Sequence, residues 1–215
     1  MFSEWNENIL QNAKNFEDWR SAKTIPVNVE LKGEQKILHL DQAISYLENA
    51  EHIYRLHCLC RSMIKKCDAP TDTCIAWDSA KGLLDEDLYK HAGVREVTKE
   101  EAIETLKMSH DAGLVHMAYA MRDDEVNRIC SCCSSCCAVF TSVLKYKMFP
   151  ELITSDCRSD TDMDACASCG TCVDRCHFGA RELTNDGLQV NDDLCYGCGL
   201  CVSTCPEEAI GLVKR

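Results

Sequence analysis

No run of apolar residues in this chain is long enough to span a bilayer, so a membrane-crossing helix is not expected. Nothing at its start is first basic and then apolar. Residues Met1 to Arg20 are acidic and amphipathic, with Trp5, Ile9, Ala13 and Phe16 on one helical face, which predicts a chain kept in the cytoplasm rather than one led out by a signal peptide. The patterns GxGxxG and GxxxxGK are both missing, and with them any expectation of an ATP, NAD or flavin site. Basic residues are scarce, 23 against 35 acidic ones, for a net charge of −12. That balance argues against nucleic acid as a partner, because its phosphates would repel this surface.

Cysteine, by contrast, is abundant: the 215 residues contain 18. Without a secretory leader this density points away from a disulfide framework and toward thiolate chemistry in a reducing cytoplasm, as in an anaerobe. The length allows one ordinary core plus a small domain stapled by metal.

Eight of the cysteines form two identical CxxCxxCxxxC runs: Cys166, Cys169, Cys172, Cys176, then Cys195, Cys198, Cys201, Cys205. At that spacing three thiolates from a tight loop grip one cube while the fourth reaches across to the other. Two [4Fe-4S] clusters are therefore predicted, one on Cys166, Cys169, Cys172 and Cys205, the other on Cys195, Cys198, Cys201 and Cys176. Zinc ribbons and disulfides also use CxxC pairs, but zinc sites call for two such pairs rather than a triple plus one. Asp164, Gly170, Val173 and Ala180 recur as Asp193, Gly199, Val202 and Ala209 at one constant offset, which indicates an internal duplication.

The stretch from about residue 160 to 215 resembles a bacterial dicluster ferredoxin. The resemblance implies a duplicated βαβ-βαβ fold and two cubane clusters. One position departs from the pattern: Cys205 is followed by Pro206, but Cys176 is followed by His177. Either His177 is a tolerated surface substitution, or it lies near a cluster and shifts its potential through charge or a hydrogen bond.

Two further cysteine groups lie upstream. Cys58, Cys60, Cys67 and Cys74 are interspersed with Arg55, Arg61, Lys65 and Lys66, cations that lower thiolate pKa values and offset the charge of several sulfurs on one metal. Cys130, Cys132, Cys133, Cys136 and Cys137 crowd into one short segment and exceed any ordinary core demand. These nine are candidate metal ligands. They could hold one or two further cubane clusters, a non-cubane cluster of the kind associated with paired cysteines in heterodisulfide reductase subunits, a zinc ion, or a redox-active dithiol; free buried cysteines are the plain alternative. Cys157 has no assigned role, and His116, in an apolar run, reads as a packed core residue rather than a ligand.

Hydrophobic patterning places an amphipathic helix over residues 1–20, a strand at Val27, Val29 and Leu31, and a second strand at Ile37, Leu38 and Leu40 that could pair back on it. A helix is expected from an Asp41 N-cap to about Ala50, and another over about 78–91. Thr98 with Glu101 forms a capping box for a third, with Ala102, Leu106 and Met108 among its apolar positions. A short strand follows at Leu114 to Ala118, then a helix through Val143, Leu144 and Tyr146 that Pro150 stops. The predicted class is α+β, with an α/β cysteine-rich domain over 1–150, a linker over 151–163 and the dicluster domain over 164–215. The whole chain after about residue 25 also resembles a group of larger ferredoxin-type 4Fe-4S proteins of strict anaerobes, through Cys58-Leu59-Cys60-Arg61, Ile129-Cys130-Ser131-Cys132-Cys133 and Gly113-Leu114-Val115-His116. That resemblance implies iron–sulfur electron transfer in general terms.

The expected function is a low-potential electron carrier or electron-transfer subunit that docks through its acidic surface on a basic patch of a redox partner. The alternatives are a reductase or activation subunit with thiol or disulfide chemistry in its N-terminal part, and a zinc-stabilised interaction module with a ferredoxin tail.

Overall fold

Among the described residues seven strands form one sheet: β1 (Gln35–Leu38), β2 (Ile53–His57), β3 (Asp72–Trp77), β4 (Arg95–Val97), β5 (Val115–Ala120), β6 (Val126–Cys132) and β7 (Ile153–Thr154), in the spatial order β4-β2-β3-β6-β5-β1-β7. The computed structural model describes residues 35–80, 82, 92–120, 126–147 and 153–215. The helix expected over 1–20 and the strand at Val27, Val29 and Leu31 lie outside the described residues, as does most of the helix expected over 78–91. Every pairing in the sheet is antiparallel except β1 with β7. The fold thus mixes helix and strand, but this sheet is not the parallel one that an α/β reading of residues 1–150 would bring.

The period of two along each strand decides what each face carries. Ile53, Ile75, Trp77, Ala118 and Ile129 face α1 (Leu40–Ser45) and α3 (Lys99–Asp111), whose Ala43, Ala102 and Leu106 are fully buried against them. Leu56, Cys74, Met117, Cys130 and Cys132 point the other way. Burying each large aliphatic side chain contributes about 1.5–3 kcal/mol. A slip of one residue in β6 would exchange Ile129 for Cys130 on the core face, so the aliphatic face fixes the register that gathers the thiols.

The helix starts follow local chemistry. Thr98 accepts from the Glu101 amide at 3.2 Å and the Glu101 carboxylate accepts from the Thr98 amide at 2.8 Å, which completes the capping box of α3. Met108, one of the apolar positions of α3, is 37% exposed, whereas Ala102 and Leu106 are fully buried. In α1 the N-cap is His39, not Asp41, which lies in the first turn. Two short helices follow cysteines: α2 (Leu59–Ile64) starts at Cys58, and α4 (Ala138–Phe140) starts at Cys137 and widens into a π-helical turn over Thr141–Lys145.

The C-terminal part consists of β8 (Cys157–Thr161), α5 (Thr171–Asp174), β9 (Arg181–Thr184), β10 (Gly187–Val190) and β11 (Ile210–Lys214). The first strand pairs with the last and the two middle strands with each other, all antiparallel. Backbone bonds recur across the two cysteine runs: Val173 and Asp174 donate to the Gly170 carbonyl as Val202 and Ser203 donate to that of Gly199. The first run forms α5, whereas the second stays a series of turns. The stretch read as a linker carries β7 and the whole of β8, and residues 33–215 form one compact unit. Among the described residues no helix is long and apolar enough to cross a membrane.

Candidate metal centres

The eight regularly spaced cysteines line two separate cavities. Cys166, Cys169, Cys172 and Cys205 surround one, together with Gly170, Leu188, Pro206 and Ile210. The other is lined by Cys176, Cys195, Cys198 and Cys201, with Phe178, Tyr196, Gly197 and Leu200. Each cavity thus draws three sulfurs from one run and one from the other. Donors face the sulfurs. The Ser168 amide lies 3.4 Å from Cys166 Sγ, the Ala180 amide 3.4 Å from Cys176 Sγ, and the Ser159 amide 3.2 Å from Cys195 Sγ. Such donors stabilise thiolates, and amides directed at ligand sulfur are a standard means of tuning an iron–sulfur centre. Burial pushes the Cys198 thiol up to about 12, so in the dry cavity this group favours either a proton or a metal. Mostly apolar walls, four converging sulfurs and aimed amides fit a cubane cluster in each cavity.

Two features here were not read from the sequence. Arg181, 4% exposed, extends its guanidinium between the cavities: Nη1 lies 3.7 Å from Cys172 Sγ, and Nη2 donates to Ser159 Oγ at 2.7 Å and to Thr161 Oγ1 at 3.0 Å. The Ser159 hydroxyl in turn lies 3.3 Å from Cys195 Sγ. One cation therefore serves thiols of both sets. The signal lay in the duplication, since the offset that aligns the two runs places Arg181 against Ile210, an unpaired charge in an otherwise apolar position. Cys157 lines neither cavity. A Cβ on Gly197, at φ +54°, would stand 2.4 Å from the Cys157 carbonyl oxygen, so this cysteine's backbone packs where only glycine fits.

The nine upstream cysteines converge on the sheet face opposite α1 and α3. Cys58, Cys60, Cys74, Cys130, Cys132, Cys133, Cys136 and Cys137 line a cavity of about 160 Å³ with Tyr119, Arg128 and Val139. β3 and β6 supply Cys74, Cys130 and Cys132, while the starts of α2 and α4 supply Cys58, Cys60 and Cys137. Five of the thiols act on one another's proton affinity in succession, Cys58 with Cys74, Cys74 with Cys130, Cys130 with Cys132 and Cys132 with Cys137. The neighbouring Cys132 and Cys74 thiols pull Cys130 down to about 5 despite its burial, and Cys132 likewise lowers Cys137. Their sulfur neighbours, first among the causes, push Cys58, Cys74 and Cys132 up.

Cys67 meets Cys133 and Cys136 at the edge of this group, with sulfur separations of 3.5 and 3.8 Å. Arg61 is 2% exposed beneath them and donates to the Pro70 carbonyl at 2.6 Å, Thr73 Oγ1 at 3.2 Å and the Ser131 carbonyl at 2.8 Å. Burial disfavours its charge, but the thiols of Cys58, Cys133 and Cys67 outweigh burial and hold it protonated. Burial raises Cys133, yet Ser135, Arg61 and Cys67 bring it down to about 7.

His177 does not hang in solvent. Its Nε2 lies 2.7 Å from the Gly113 carbonyl oxygen and its Nδ1 3.0 Å from Ser134 Oγ. It links the residue after Cys176 to the loop that carries Cys133 and Cys136. Beside it, Phe178 packs edge-on against Phe140 with ring centroids 5.6 Å apart, and lies tilted against Tyr196 at 4.8 Å. One apolar cluster includes Cys132, Cys137, Phe140 and Phe178, with Cys176 and Cys198 packed against it. His116 is fully buried in the core, its Nδ1 3.2 Å from Ser131 Oγ, and lines none of the cysteine cavities.

A search of curated proteins gave no match to this chain. A family model described as the 4Fe-4S dicluster domain matches residues 165–210, a span that holds all eight cysteines of the two C-terminal cavities and supports an iron–sulfur electron-transfer role.

Proposed function

We propose that this protein relays single electrons between a redox partner and its own upstream thiol centre by way of two [4Fe-4S] clusters. Cys166, Cys169, Cys172 and Cys205 hold one cluster, and Cys195, Cys198, Cys201 and Cys176 the other. When bound, each supplies a one-electron couple in a dry site. The chain's own residues ligate, orient and insulate: thiolates fix each site, the Ser168, Ala180 and Ser159 amides stabilise charge on sulfur, and Arg181 offsets the anionic charge of both. The observation that carries this reading is the sorting of eight thiols into two cavities of four, each with one sulfur exchanged between the runs.

The route has a direction. Cys169 is exposed, so the first site lies nearer to solvent and to a partner. The second shares an apolar cluster with Cys132 and Cys137 through Phe178 and Phe140. A third redox centre, an iron–sulfur cluster of cubane or non-cubane form, is assigned to the upstream thiols around the 160 Å³ cavity. The partner is expected to present a basic face, since the segment from Cys157 to Arg215 carries ten acidic residues against five basic ones. The cytoplasm of an anaerobe suits such sites.

A second reading is favoured by that same cavity: with Cys130 lowered to about 5 beside protonated neighbours, it is also a place for thiol or disulfide chemistry fed by the two clusters. Anaerobic purification with iron and sulfide counting and EPR separates the cases. Eight irons mean two clusters alone, and twelve or more add an upstream cluster. Colourless protein, or Cys198→Ala with an unchanged visible spectrum, removes the relay altogether.

A further inference from the structure

The sulfur atoms of Cys67, Cys133 and Cys136 all lie within 4.8 Å of one another, and among the described residues no other group of three or more His, Cys, Asp or Glu ligand atoms is that tightly gathered. The two four-thiol cavities of the C-terminal part therefore serve as an internal contrast. Thiolates that each bind a different iron of a cube must stand well apart, whereas thiolates on one tetrahedral ion, each about 2.3 Å from it, are separated by about 3.8 Å. Cys67 lies 3.5 Å from Cys133 and 3.8 Å from Cys136. Both spacings are those of a tetrahedron's edges, not of a cluster's corners, and the third lies within 4.8 Å.

We propose that Cys67, Cys133 and Cys136 hold one mononuclear zinc-class ion; no fourth ligand joins them among the described residues, and the fourth position takes water or a small thiol. The surroundings suit it. The Lys66 amide lies 3.4 Å from Cys136 Sγ, and the Ser135 hydroxyl donates to Cys133 Sγ at 3.4 Å and to Cys136 Sγ at 3.7 Å. Three thiolates on a divalent ion leave one net negative charge, and buried Arg61 stands beside them to offset it. Binding releases the three thiol protons to solvent and involves no change of oxidation state. The ion ties the loop after α2 to the loop before α4, and an open fourth position is what separates Lewis-acid zinc sites from closed structural ones.

This inference does not rest on the relay. Cys58, Cys60, Cys74, Cys130, Cys132 and Cys137 remain for a redox centre, and the two ideas are read by different metals. Cys67 is the position to change, because alone among the nine it does not line the 160 Å³ cavity. Full-length protein purified anaerobically from zinc-supplemented cells is expected to carry one zinc per chain. In Cys67→Ser, zinc should fall below a tenth of that while the iron count and visible spectrum stay unchanged. Zinc-edge X-ray absorption on the unmodified protein, which needs no variant to fold, should show three sulfurs and one lighter atom or added thiol. Absence of zinc, four protein sulfurs around it, or loss of iron rather than zinc in Cys67→Ser would overturn the proposal.

Discussion

At the scale of single residues, buried charge and buried imidazole make the sharpest predictions. Arg181 donates to Cys172, Ser159 and Thr161 from a position 4% exposed. Arg181→Met is expected to lower the potentials of both clusters, because a cation beside the thiolates favours the reduced, more negative state. It should also destabilise the fold by about 1–3 kcal/mol for each partner left unsatisfied. Potentiometric titration followed by EPR reads the first effect and denaturant unfolding the second. His116 makes a prediction in pH. Burial and the neighbouring His110 ring lower its pKa to about 3, against an ordinary value of 6.5. Between those values the unfolded chain binds a proton that the folded chain does not, so stability rises with pH across that window and falls as pH drops toward 3. The slope from this one group reaches at most about 1.4 kcal/mol per pH unit. His116→Asn should flatten the dependence of the unfolding midpoint between pH 7 and 5, measured by circular dichroism. His110, stacked on it and lowered chiefly by burial, adds a contribution of the same sign.

At the scale of elements, the two cysteine loops exist because glycine permits their backbone. Gly197 at φ +54° lies under the Cys157 carbonyl of β8, and an added Cβ would meet that oxygen at 2.4 Å and its carbon at 2.5 Å. Gly197→Ala is therefore expected to push β8 from its pairing with β11 and to cost at least the ~1–2 kcal/mol of a left-handed non-glycine residue. Iron content should drop by about the four irons of one cubane cluster, since the second site would suffer and the first would not. Cys157→Ser, which keeps the backbone, should leave iron content unchanged. Much at this scale was legible in the sequence. Thr98 with Glu101 marked the start of α3, and the two CxxCxxCxxxC runs marked both loops, because capping and ligand spacing are local. The N-cap of α1 was not legible in the same way: Asp41 was expected there and His39 takes the place, because where a helix begins depends on how the chain leaves the strand before it, and a capping residue type alone does not say so.

At the scale of the whole molecule, the sheet and the C-terminal loops meet through polar tethers on an apolar contact. Arg175 donates to the last carbonyls of α3, at His110 and Asp111, 3.1 and 3.0 Å away, and His177 spans from Gly113 to Ser134. His177→Pro restores the residue that follows Cys205 in the second run but removes both of that histidine's contacts. The expected outcome is faster amide hydrogen exchange around Gly113 and Ser134 with an undiminished iron count. Electron equilibration between the second cluster and the upstream centre should slow. Equal exchange and equal rates would show the tether to be incidental.

By itself the sequence settled the count and spacing of thiols in the C-terminal runs, because ligands a few residues apart are brought together by one turn of chain whatever surrounds them. It could not say how nine upstream cysteines divide. Cys67 and Cys133 are distant along the chain, and only the register of β3 on β6, the starts of α2 and α4, and the buried Arg61 beneath them set three sulfurs apart from six. Those partners are chosen by packing of the opposite sheet face, where Ile75 and Ile129 fix which residues turn toward the thiols. That choice belongs to the tertiary structure.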